Sequence, residues 1–394
     1  MDKKKIILIL ILGFAGFVAM ADNWVVSPIL PSIAQNLNVN VASASIIITA
    51  YMLPFGLFQL LYGYLAERFG KRQVITFSIS MFTIATALCA FAFAIPDLAA
   101  YRALTGMFAA AIMPISLALI GDIFPMEERQ SAIGTFMGIS FLGQGLSMAI
   151  GGFIAYFLNW RGVFGVYAGL AVISSILMFT IGRKIPSTKN KESKALMPYI
   201  NILKNPSSAI IYVLVLFEGV FLIGSFSFLG GFIKNGFDIN NFAIGMVMTA
   251  FGIMALIAGK KSGNIALKIG RKKTAVIGLS FAFIAELLLV TMGSFLPVVV
   301  IAVGLMGFGF MMAHSTFLTI ATEFAAKARG IAMSLVAFCF MGGGGIGTAI
   351  GGKIIAASSF ERLFTIYGIG LLLVTVIALI VKSSFQASIQ PKKM

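Results

Sequence analysis

Long unbroken runs of apolar residues constrain this chain more than any other feature. Each run has about the 20 residues that a helix needs to cross a bilayer. In lipid the backbone must pair its own polar groups, which only helices and closed barrels achieve. Barrel strands alternate in polarity, whereas these runs are continuously apolar, so the sequence predicts an all-α membrane protein with twelve transmembrane helices. The predicted spans lie near 6–29, 43–65, 74–95, 98–120, 130–157, 163–182, 208–232, 242–262, 274–294, 296–320, 330–356 and 361–381.

The composition agrees with a lipid environment. Hydrophobic residues make up 59% of the 394 residues and charged residues only 11%, against about 45–50% and about 25% in soluble domains. An ordinary soluble enzyme, a disordered chain and a disulfide-stapled secreted domain are therefore excluded. Cys89 and Cys339 both lie inside apolar runs, and His314 is the single histidine. We expect no metal site and no cofactor.

The net charge of +16 would suggest a nucleic-acid partner in a soluble protein, but its placement argues against one. The basic residues cluster between the apolar runs, and 24 of the 29 fall on one side of the predicted topology. Such a bias predicts a multi-pass protein of the cell membrane with both termini in the cytoplasm. The longest polar stretch, 183–207, is then a cytoplasmic linker between an N-terminal half, 1–182, and a C-terminal half, 208–394.

The first apolar run admits a second interpretation. Lys3 to Lys5, an apolar stretch and Ala19-Met20-Ala21 together resemble a cleavable signal peptide. The run continues through Val26, beyond the possible cleavage site. We therefore favour a first membrane helix over a signal peptide.

The sequence repeats itself at an offset of 200 residues. One coincidence of this kind means little, but several at one offset imply two duplicated six-helix halves. Parallel halves of this kind are a transporter architecture, with the substrate site near the membrane midplane between them. The matched positions are 63–72 with 263–272, Gly143 and Gly145 with Gly343 and Gly345, Gly151-Gly152 with Gly351-Gly352, Arg129 with Arg329, and Tyr167 with Tyr367.

The first copy of the repeated loop carries a family resemblance. Its stretch Gly-Tyr-Leu-Ala-Glu-Arg-Phe-Gly-Lys-Arg, residues 63–72, resembles the motif between helices 2 and 3 of the major facilitator superfamily. The resemblance implies a gating loop that stabilises one access state by pairing across the seam between the halves or with a helix end. A simple positive-inside anchor is the alternative, and both can hold because Leu267 replaces the acid in the second copy. The implied gating residues are Gly63, Glu67, Arg68, Gly70, Lys71 and Arg72.

Two further stretches are similar to motifs of the drug:proton antiporters in that superfamily. Residues 101–106 resemble the helix 4 motif that holds an arginine, here Arg102, in the membrane. Residues 143–152 resemble the helix 5 motif of proton-driven exporters, with Ser147-Met148 where that motif has Gly-Pro. The resemblance implies proton-coupled efflux of small amphiphilic or drug-like molecules. The missing proline keeps open an uptake symporter or a facilitator of a sugar, nucleoside or metabolite on the same fold.

Ionisable residues within the spans are functional candidates because burying a charge in the bilayer is costly. In the resembled fold, helices 1, 4, 7 and 10 line the central cavity, and they carry Asp22, Arg102, Glu218 and His314 respectively. Asp22 and Arg102 lie at matching depth, so we expect them to pair. The pair is either purely structural or a proton-sensitive site.

Glu218 lies near the predicted midplane with no basic residue evident at its level. We predict that it binds and releases protons; a protonated glutamate bonded to a neighbouring helix is the alternative. His314, in the inner third of helix 10, is expected to bond a hydroxyl such as that of Ser315 rather than to relay protons. Glu286 lies on outer helix 9, and we expect a neutral, hydrogen-bonded packing residue.

The remaining cavity residues can be nominated only by type and helix. With 37 Phe and 21 Met in the chain, some of these side chains could form a soft pocket for amphiphilic substrates. The chain lacks an ATP-binding glycine loop and the catalytic pair of an intramembrane protease, so we expect a transporter and not an enzyme; a non-transporting sensor is the remaining rival. The expected partners are a small-molecule substrate, protons and the lipid bilayer, with the protein as a monomer. The nominated cavity residues are Asn23, Trp24, Tyr51, Gln59, Gln144 and His314.

Overall fold

The fold is known from a computed structural model, which describes residues 3–187, 197–325 and 329–381. The described residues form helices and no β-strand, and twelve helices are long and apolar enough to cross a membrane. The prediction of an all-α membrane protein is confirmed. Numbered as spans 1 to 12, they are Lys5–Trp24, Val41–Phe69, Lys71–Ala90, Ile95–Ile123, Ala132–Phe157, Trp160–Lys184, Pro206–Phe237, Asn241–Ile269, Arg271–Met292, Leu296–Phe324, Ile331–Ala357 and Phe360–Ile380.

Some spans are broken helices. Span 1 is followed after a single residue by the helix Val26–Asn36, which contains Pro31. Span 4 consists of the helices Ile95–Ala109 and Ile112–Ile123. Outside the spans, a short helix at Met197–Leu203 lies within the predicted linker, whose boundaries stay a prediction.

Span 7 has the most irregular backbone. It runs as an α-helix over Pro206–Glu218, as a π-helix over Gly219–Ile223, and as short α-helices over Gly224–Phe226 and Leu229–Phe237. A π-helical turn interrupts the regular hydrogen-bond ladder and is frequent at functional sites. Because the turn begins at the residue after Glu218, that carboxyl lies at the break in the span.

Close backbone contacts at glycine hold the spans together, and the two halves repeat them. In the first half, a Cβ built on Gly106 would lie 2.1 Å from the Tyr51 carbonyl oxygen. In the second half, the same atom on Gly307 would lie 2.1 Å from the Phe251 carbonyl oxygen. Residues larger than glycine would push the helices apart at these points.

Other contacts also recur at the offset of 200. The Tyr167 hydroxyl donates to the Ser147 carbonyl at 3.4 Å, and the Tyr367 hydroxyl donates to the Gly347 carbonyl at 2.5 Å. The turns after spans 2 and 8 each use a glycine with positive φ, at positions 70 and 270. The bundle therefore consists of two pseudo-symmetric halves of six spans, as the sequence repeat predicts.

We call the side of the bundle with the loops between spans 2 and 3 and between spans 8 and 9 the basic side. Hydrogen bonds between the two halves lie toward the opposite side. The Ser27 hydroxyl contacts the Phe226 and Ser227 carbonyls at 2.9 and 3.1 Å, and the Ser32 hydroxyl donates to Asn241 Oδ1 at 2.8 Å. The halves are thus closed against each other on the opposite side.

Candidate functional site

Asp22 and Arg102 form a buried ion pair between spans 1 and 4. The Arg102 guanidinium donates to Asp22 Oδ2 at 2.5 Å, and the two side chains are 1% and 0% exposed. A second guanidinium nitrogen reaches the Asp22 backbone carbonyl at 3.4 Å. The expected pairing is confirmed; its role in proton coupling stays a prediction.

Aromatic rings cover this ion pair. The guanidinium carbon of Arg102 lies 4.2 Å from the centre of the Tyr51 ring and 5.7 Å from that of Phe164. Both contacts are cation–π interactions, which strengthen when the cation is removed from water. Tyr51, nominated for the substrate cavity, is therefore a buried neighbour of Arg102. Asp22 Oδ1 and the Tyr51 hydroxyl have no hydrogen-bond partner among the described residues.

Glu218 pairs with His314, which corrects two expectations. His314 Nδ1 lies 3.0 Å from Glu218 Oε2, so Glu218 has a nitrogen partner at its level. His314 does not bond Ser315, whose hydroxyl instead contacts Ser262. The Glu218 side chain is fully buried, whereas the His314 side chain is 18% exposed.

The helix ends explain why the sequence did not show this pairing. Span 10 continues to Phe324, four residues beyond the predicted end, and this places His314 deeper in the membrane. At about 1.5 Å per residue, His314 lies about 15 Å from the basic end of span 10, and Glu218 about 18 Å from the basic end of span 7. The two groups therefore share one level.

A chain of aromatic rings, here called the aromatic seam, joins the halves beside His314. Its members are Trp24 of the first half and Phe226, Phe251, Phe310 and Phe340 of the second half. The Trp24 ring lies 5.3 Å from both the Phe226 and Phe251 rings, and the Phe340 ring lies 4.3 Å from the imidazole of His314. The acid–imidazole pair thus borders an apolar surface contributed by both halves.

The nominated cavity residues do not line one open cavity. Asn23 and Trp24 line a void of only about 20 Å³. Gln59 and Gln144 are buried, 4% and 5% exposed, and Gln144 Nε2 has no hydrogen-bond partner among the described residues. In this closed arrangement the midplane between the halves is packed.

A larger cavity of about 870 Å³ lies between the halves on the side opposite the basic loops. Sequence reasoning missed it because its polar residues lie at helix ends and in short connections that carry no motif. Several of them already cap helices; Asn40 and Asn240, for instance, accept backbone hydrogen bonds from Ser43 and Ala243. Its polar lining includes Ser32, Gln35, Asn40, Lys234, Asn235, Asp238, Asn240 and Asn241.

The charged residues of the predicted gating loop make their described contacts within the first half and with the first residues of the linker. Lys71 Nζ pairs with Asp122 at 2.6 Å and with Glu67 at 3.3 Å. Sequence reasoning missed Asp122, although an acid at the basic end of span 4 could have signalled it. The second half repeats this pair as Arg271 with Glu323.

The other loop residues also have local partners. Arg72 donates to the backbone carbonyls of Arg183 and Ile185 at the basic end of span 6. Arg68 donates to the Tyr64 hydroxyl at 2.6 Å. In this state the loop therefore pairs with helix ends, and the predicted pairing across the seam is not formed by these contacts. Its gating role stays a prediction.

One further ion pair lies on the basic side. Lys5 Nζ contacts Glu128 Oε2 at 2.7 Å, and this hydrogen bond lowers the pKa of Glu128 below its usual 4.5.

The described residues contain no group of three or more His, Cys, Asp or Glu side chains that could hold a metal ion. Cys89 and Cys339 are free and buried.

Glu286 is fully buried on span 9, so the packing part of its prediction holds. Neither carboxyl oxygen has a formed hydrogen bond among the described residues. The Ser225 hydroxyl of span 7 is also buried without a formed hydrogen bond among the described residues. The hydrogen bond expected for Glu286 is therefore not formed in this arrangement.

Comparison with known proteins places the chain in a family. The profile of the Major Facilitator Superfamily matches residues 12–327 and also 224–393. The chain belongs to this superfamily. Its homologues are named transporters, not enzymes, and it is a multi-pass membrane transporter.

Two bacterial relatives and one solved structure show the range of similarity. The uncharacterized MFS-type transporter YceJ of Bacillus subtilis (strain 168) is 27% identical over 352 residues, which are 85% of this chain and 86% of YceJ. The multidrug transporter protein MdtP of the same organism is 24% identical over 420 residues, 92% of this chain and 77% of MdtP. The crystal structure of the D-xylose-proton symporter has a TM-score of 0.79 at 16% identity and covers 97% of this chain and 99% of that one; this likeness shows the fold alone.

Proposed function

We propose that this transporter is a proton-coupled exporter of small amphiphilic molecules that works by alternating access. The observation that carries the proposal is the 3.0 Å contact between Glu218 and His314. An acid and an imidazole in contact at one buried site can share a proton and release it when they separate. The pair lies at the π-helical break of span 7, where the backbone can adjust most easily.

The proton cycle follows from the environment of the pair. The buried carboxyl is stable when it is protonated or when it faces a protonated imidazole, because an uncompensated charge is costly in the membrane. His314 is partly exposed and is therefore the route by which a proton reaches Glu218. When the halves rock apart, water or a substrate reaches the pair and the proton leaves.

Asp22 and Arg102 serve in this proposal as a second charged site in the first half. Their bond links span 1 to span 4, so a change in the protonation of Asp22 would release one span from the other. Asp22 Oδ1 keeps a free acceptor position in the described structure. The first half thus holds an acid that could respond to the same proton gradient.

The aromatic seam supports an amphiphilic substrate. Once the halves separate, Trp24 and the phenylalanines around it would present broad apolar faces next to the titratable pair, which suits a molecule with an apolar body and a polar or cationic group. The named function of the relative MdtP agrees with this substrate class. The charge bias of the loops supports a location in the cell membrane with both termini in the cytoplasm.

Proteoliposomes with an enclosed pH dye test the proposal. Ethidium and puromycin represent amphiphilic compounds, and D-xylose and adenosine represent uptake substrates. We expect proton movement opposite to the amphiphilic compound in the wild type, and loss of that movement with retained compound binding in Glu218→Gln. Glu361→Gln removes an exposed carboxyl at the start of span 12 and is the matched control, with coupling unchanged.

The alternative function is uptake or facilitated diffusion of a small solute. The missing helix 5 proline favours it, since Ser147-Met148 stands at that position. Proton movement in the same direction as xylose or adenosine would establish a symporter. If Glu218→Gln and Asp22→Asn both remain fully coupled, neither residue carries the proton. If the wild type moves these compounds only down their gradients and without proton movement, proton coupling is wrong and the facilitator replaces it.

A further inference from the structure

Glu286 is a buried carboxyl outside the proton path described above. It lies on span 9 and packs where spans 9, 12 and 7 meet. A Cβ built on Gly368 of span 12 would lie 3.2 Å from the Glu286 Cβ, so the two helices are in direct contact at this point. The Glu286 side chain is 0% exposed, and no formed hydrogen bond reaches either of its oxygens from the described residues.

Among the residues that the structure describes, no cation forms an ion pair with this carboxyl. The titratable group that faces it is the Tyr367 hydroxyl of span 12, which already donates to the Gly347 carbonyl at 2.5 Å. On span 10, which also packs against span 9, the titratable side chains are His314, bonded to Glu218, and Glu323, paired with Arg271. On span 8 they are lysines 260, 261 and 268, near its basic end. An ionised carboxylate in such surroundings is costly, so the site is stable only with a bound proton.

The proposed partner of Glu286 belongs to the irregular part of span 7. Ser225 lies in the segment Gly224–Phe226, directly after the π-helical turn. Its hydroxyl is buried and has no formed hydrogen bond among the described residues. The segment packs on span 12 beside Glu286: a Cβ built on Gly224 would lie 2.9 Å from the ring of Tyr367, the residue before Gly368. An adjustment of this segment can bring the Ser225 hydroxyl into hydrogen-bond contact with the Glu286 carboxyl.

The other face of the same segment closes the two halves. The Phe226 carbonyl accepts from Ser27 at 2.9 Å, and the Phe226 ring contacts the ring of Trp24 at 5.3 Å. Both contacts cross from the second half to the first. Ser225, beside Glu286, is therefore followed directly by Phe226, whose contacts hold the two halves together.

We propose that Glu286 is a second proton-binding site, and that its bound proton stabilises the arrangement in which the halves are closed on the side opposite the basic loops. With the proton bound, Glu286 can hydrogen-bond Ser225 and hold the segment 224–226 against Ser27 and Trp24. Without it, the carboxylate requires hydration, and the segment must leave the closed position to admit water. The site adjusts the conformational equilibrium and is separate from Glu218. The inference rests on the alternating-access cycle of the proposed function but not on proton-coupled transport.

The test measures the opening of the halves directly, without substrate and without a gradient. Spin labels replace Gln35 and Asn235, two exposed residues that line the cavity between the halves on this side. The protein is reconstituted in nanodiscs, and the distance distribution is recorded from acidic to alkaline pH. In the wild type we expect a short distance at low pH and a growing population of long distances as the pH rises.

Glu286→Gln keeps the shape of the protonated acid, and the glutamine amide cannot ionise. We expect this variant to keep the short distance at all pH values, with loss of the pH-dependent shift. Ser225→Ala should retain a pH-dependent shift but populate the long distance already at lower pH, which a merely structural role for Glu286 would not produce. Glu361→Gln, an exposed carboxyl of span 12, is the control and should follow the wild type.

A wild-type distance that is independent of pH would overturn the proposal, as would a shift in Glu286→Gln equal to that of the wild type. The same labels in Glu218→Gln separate this inference from the proposed function. Should Glu218→Gln abolish coupling in liposomes while the pH-dependent distance change persists, the two sites are independent as proposed. If Glu218→Gln alone removes the distance change and Glu286→Gln retains it, the second site is wrong.

Discussion

At mildly acidic pH, removing the charge of Asp22 should destabilise the protein more than removing the charge of Arg102. Asp22→Asn leaves a guanidinium that is 1% exposed without its counter-ion, and arginine cannot deprotonate to relieve this. Breaking a buried pair by removing one partner costs about 3–5 kcal/mol. Asparagine can still accept one hydrogen bond, and the Tyr51 ring remains 4.2 Å from the guanidinium carbon of Arg102. We therefore expect the free energy of unfolding to fall by about 3 kcal/mol.

Arg102→Met leaves an acid instead, and a buried acid can take up a proton. We therefore expect a smaller loss than for Asp22→Asn at pH 5, and a larger loss at pH 8, because holding the proton costs about 1.4 kcal/mol per pH unit above the ordinary Asp pKa of about 3.9. The double variant should be more stable than Asp22→Asn alone, since no unpaired charge remains. This ordering is specific to a pair that is buried on both sides.

Thermal unfolding in detergent measures these differences. A thiol-reactive dye reports the unfolding, since Cys89 and Cys339 are both buried in the folded protein. Asp238→Asn is the matched control: it removes the same group from an exposed pair with Lys234, where the Asp238 side chain is 96% exposed, and should leave the melting temperature nearly unchanged. Equal melting temperatures for Asp22→Asn and Asp238→Asn would refute the assignment of a buried, closed ion pair.

Two further predictions concern the loop and the helix contacts. Arg72→Ala should slow transport in the liposome assay while membrane insertion stays normal, because it frees the carbonyl of Ile185 that Arg72 contacts at 2.9 Å; unchanged transport would leave the positive-inside anchor as a sufficient role. Gly106→Ala should lower the melting temperature, because its Cβ would meet the Tyr51 carbonyl at 2.1 Å and overpacking costs about 1–3 kcal/mol or more. Gly121→Ala, whose Cβ would meet nothing within 4 Å, is the control and should be neutral or slightly stabilising, and equal losses in both would contradict the packing.

The sequence predicted the scaffold well because the signals for it are local and redundant. A membrane span is recognised from about twenty consecutive apolar residues. The repeated glycines indicate the points where helices contact each other. The pairing of Asp22 with Arg102 could also be predicted from the sequence, because both residues lie a similar distance from the ends of their own helices. The depth of a residue in the membrane can be counted in residues from the end of its own helix. Two residues at equal depth on neighbouring helices can then be predicted to pair.

The contact between Glu218 and His314 was beyond that method. A difference of four residues at the end of span 10 shifts His314 by about 6 Å along the membrane normal, which is enough to separate or join two side chains. Depth also says nothing about which face of a helix a side chain occupies. The nominated Tyr51 and Trp24 lie at plausible depths, yet one covers Arg102 and the other lies in the aromatic seam.

The duplication offers a sharper guide to function than depth does. The two halves share their scaffold contacts, such as Gly106 with Tyr51 and Gly307 with Phe251. At the offset of 200 the five candidate proton-site residues have no ionisable counterpart: Asp22 matches Leu222, Arg102 matches Ala302, Glu218 matches Val18, His314 matches Pro114 and Glu286 matches Thr86. The half without each group is built on the same packing, so that packing does not require a charge there. This favours a role other than packing for a residue that costs free energy in the membrane, and the reasoning applies to Glu286 as much as to Glu218.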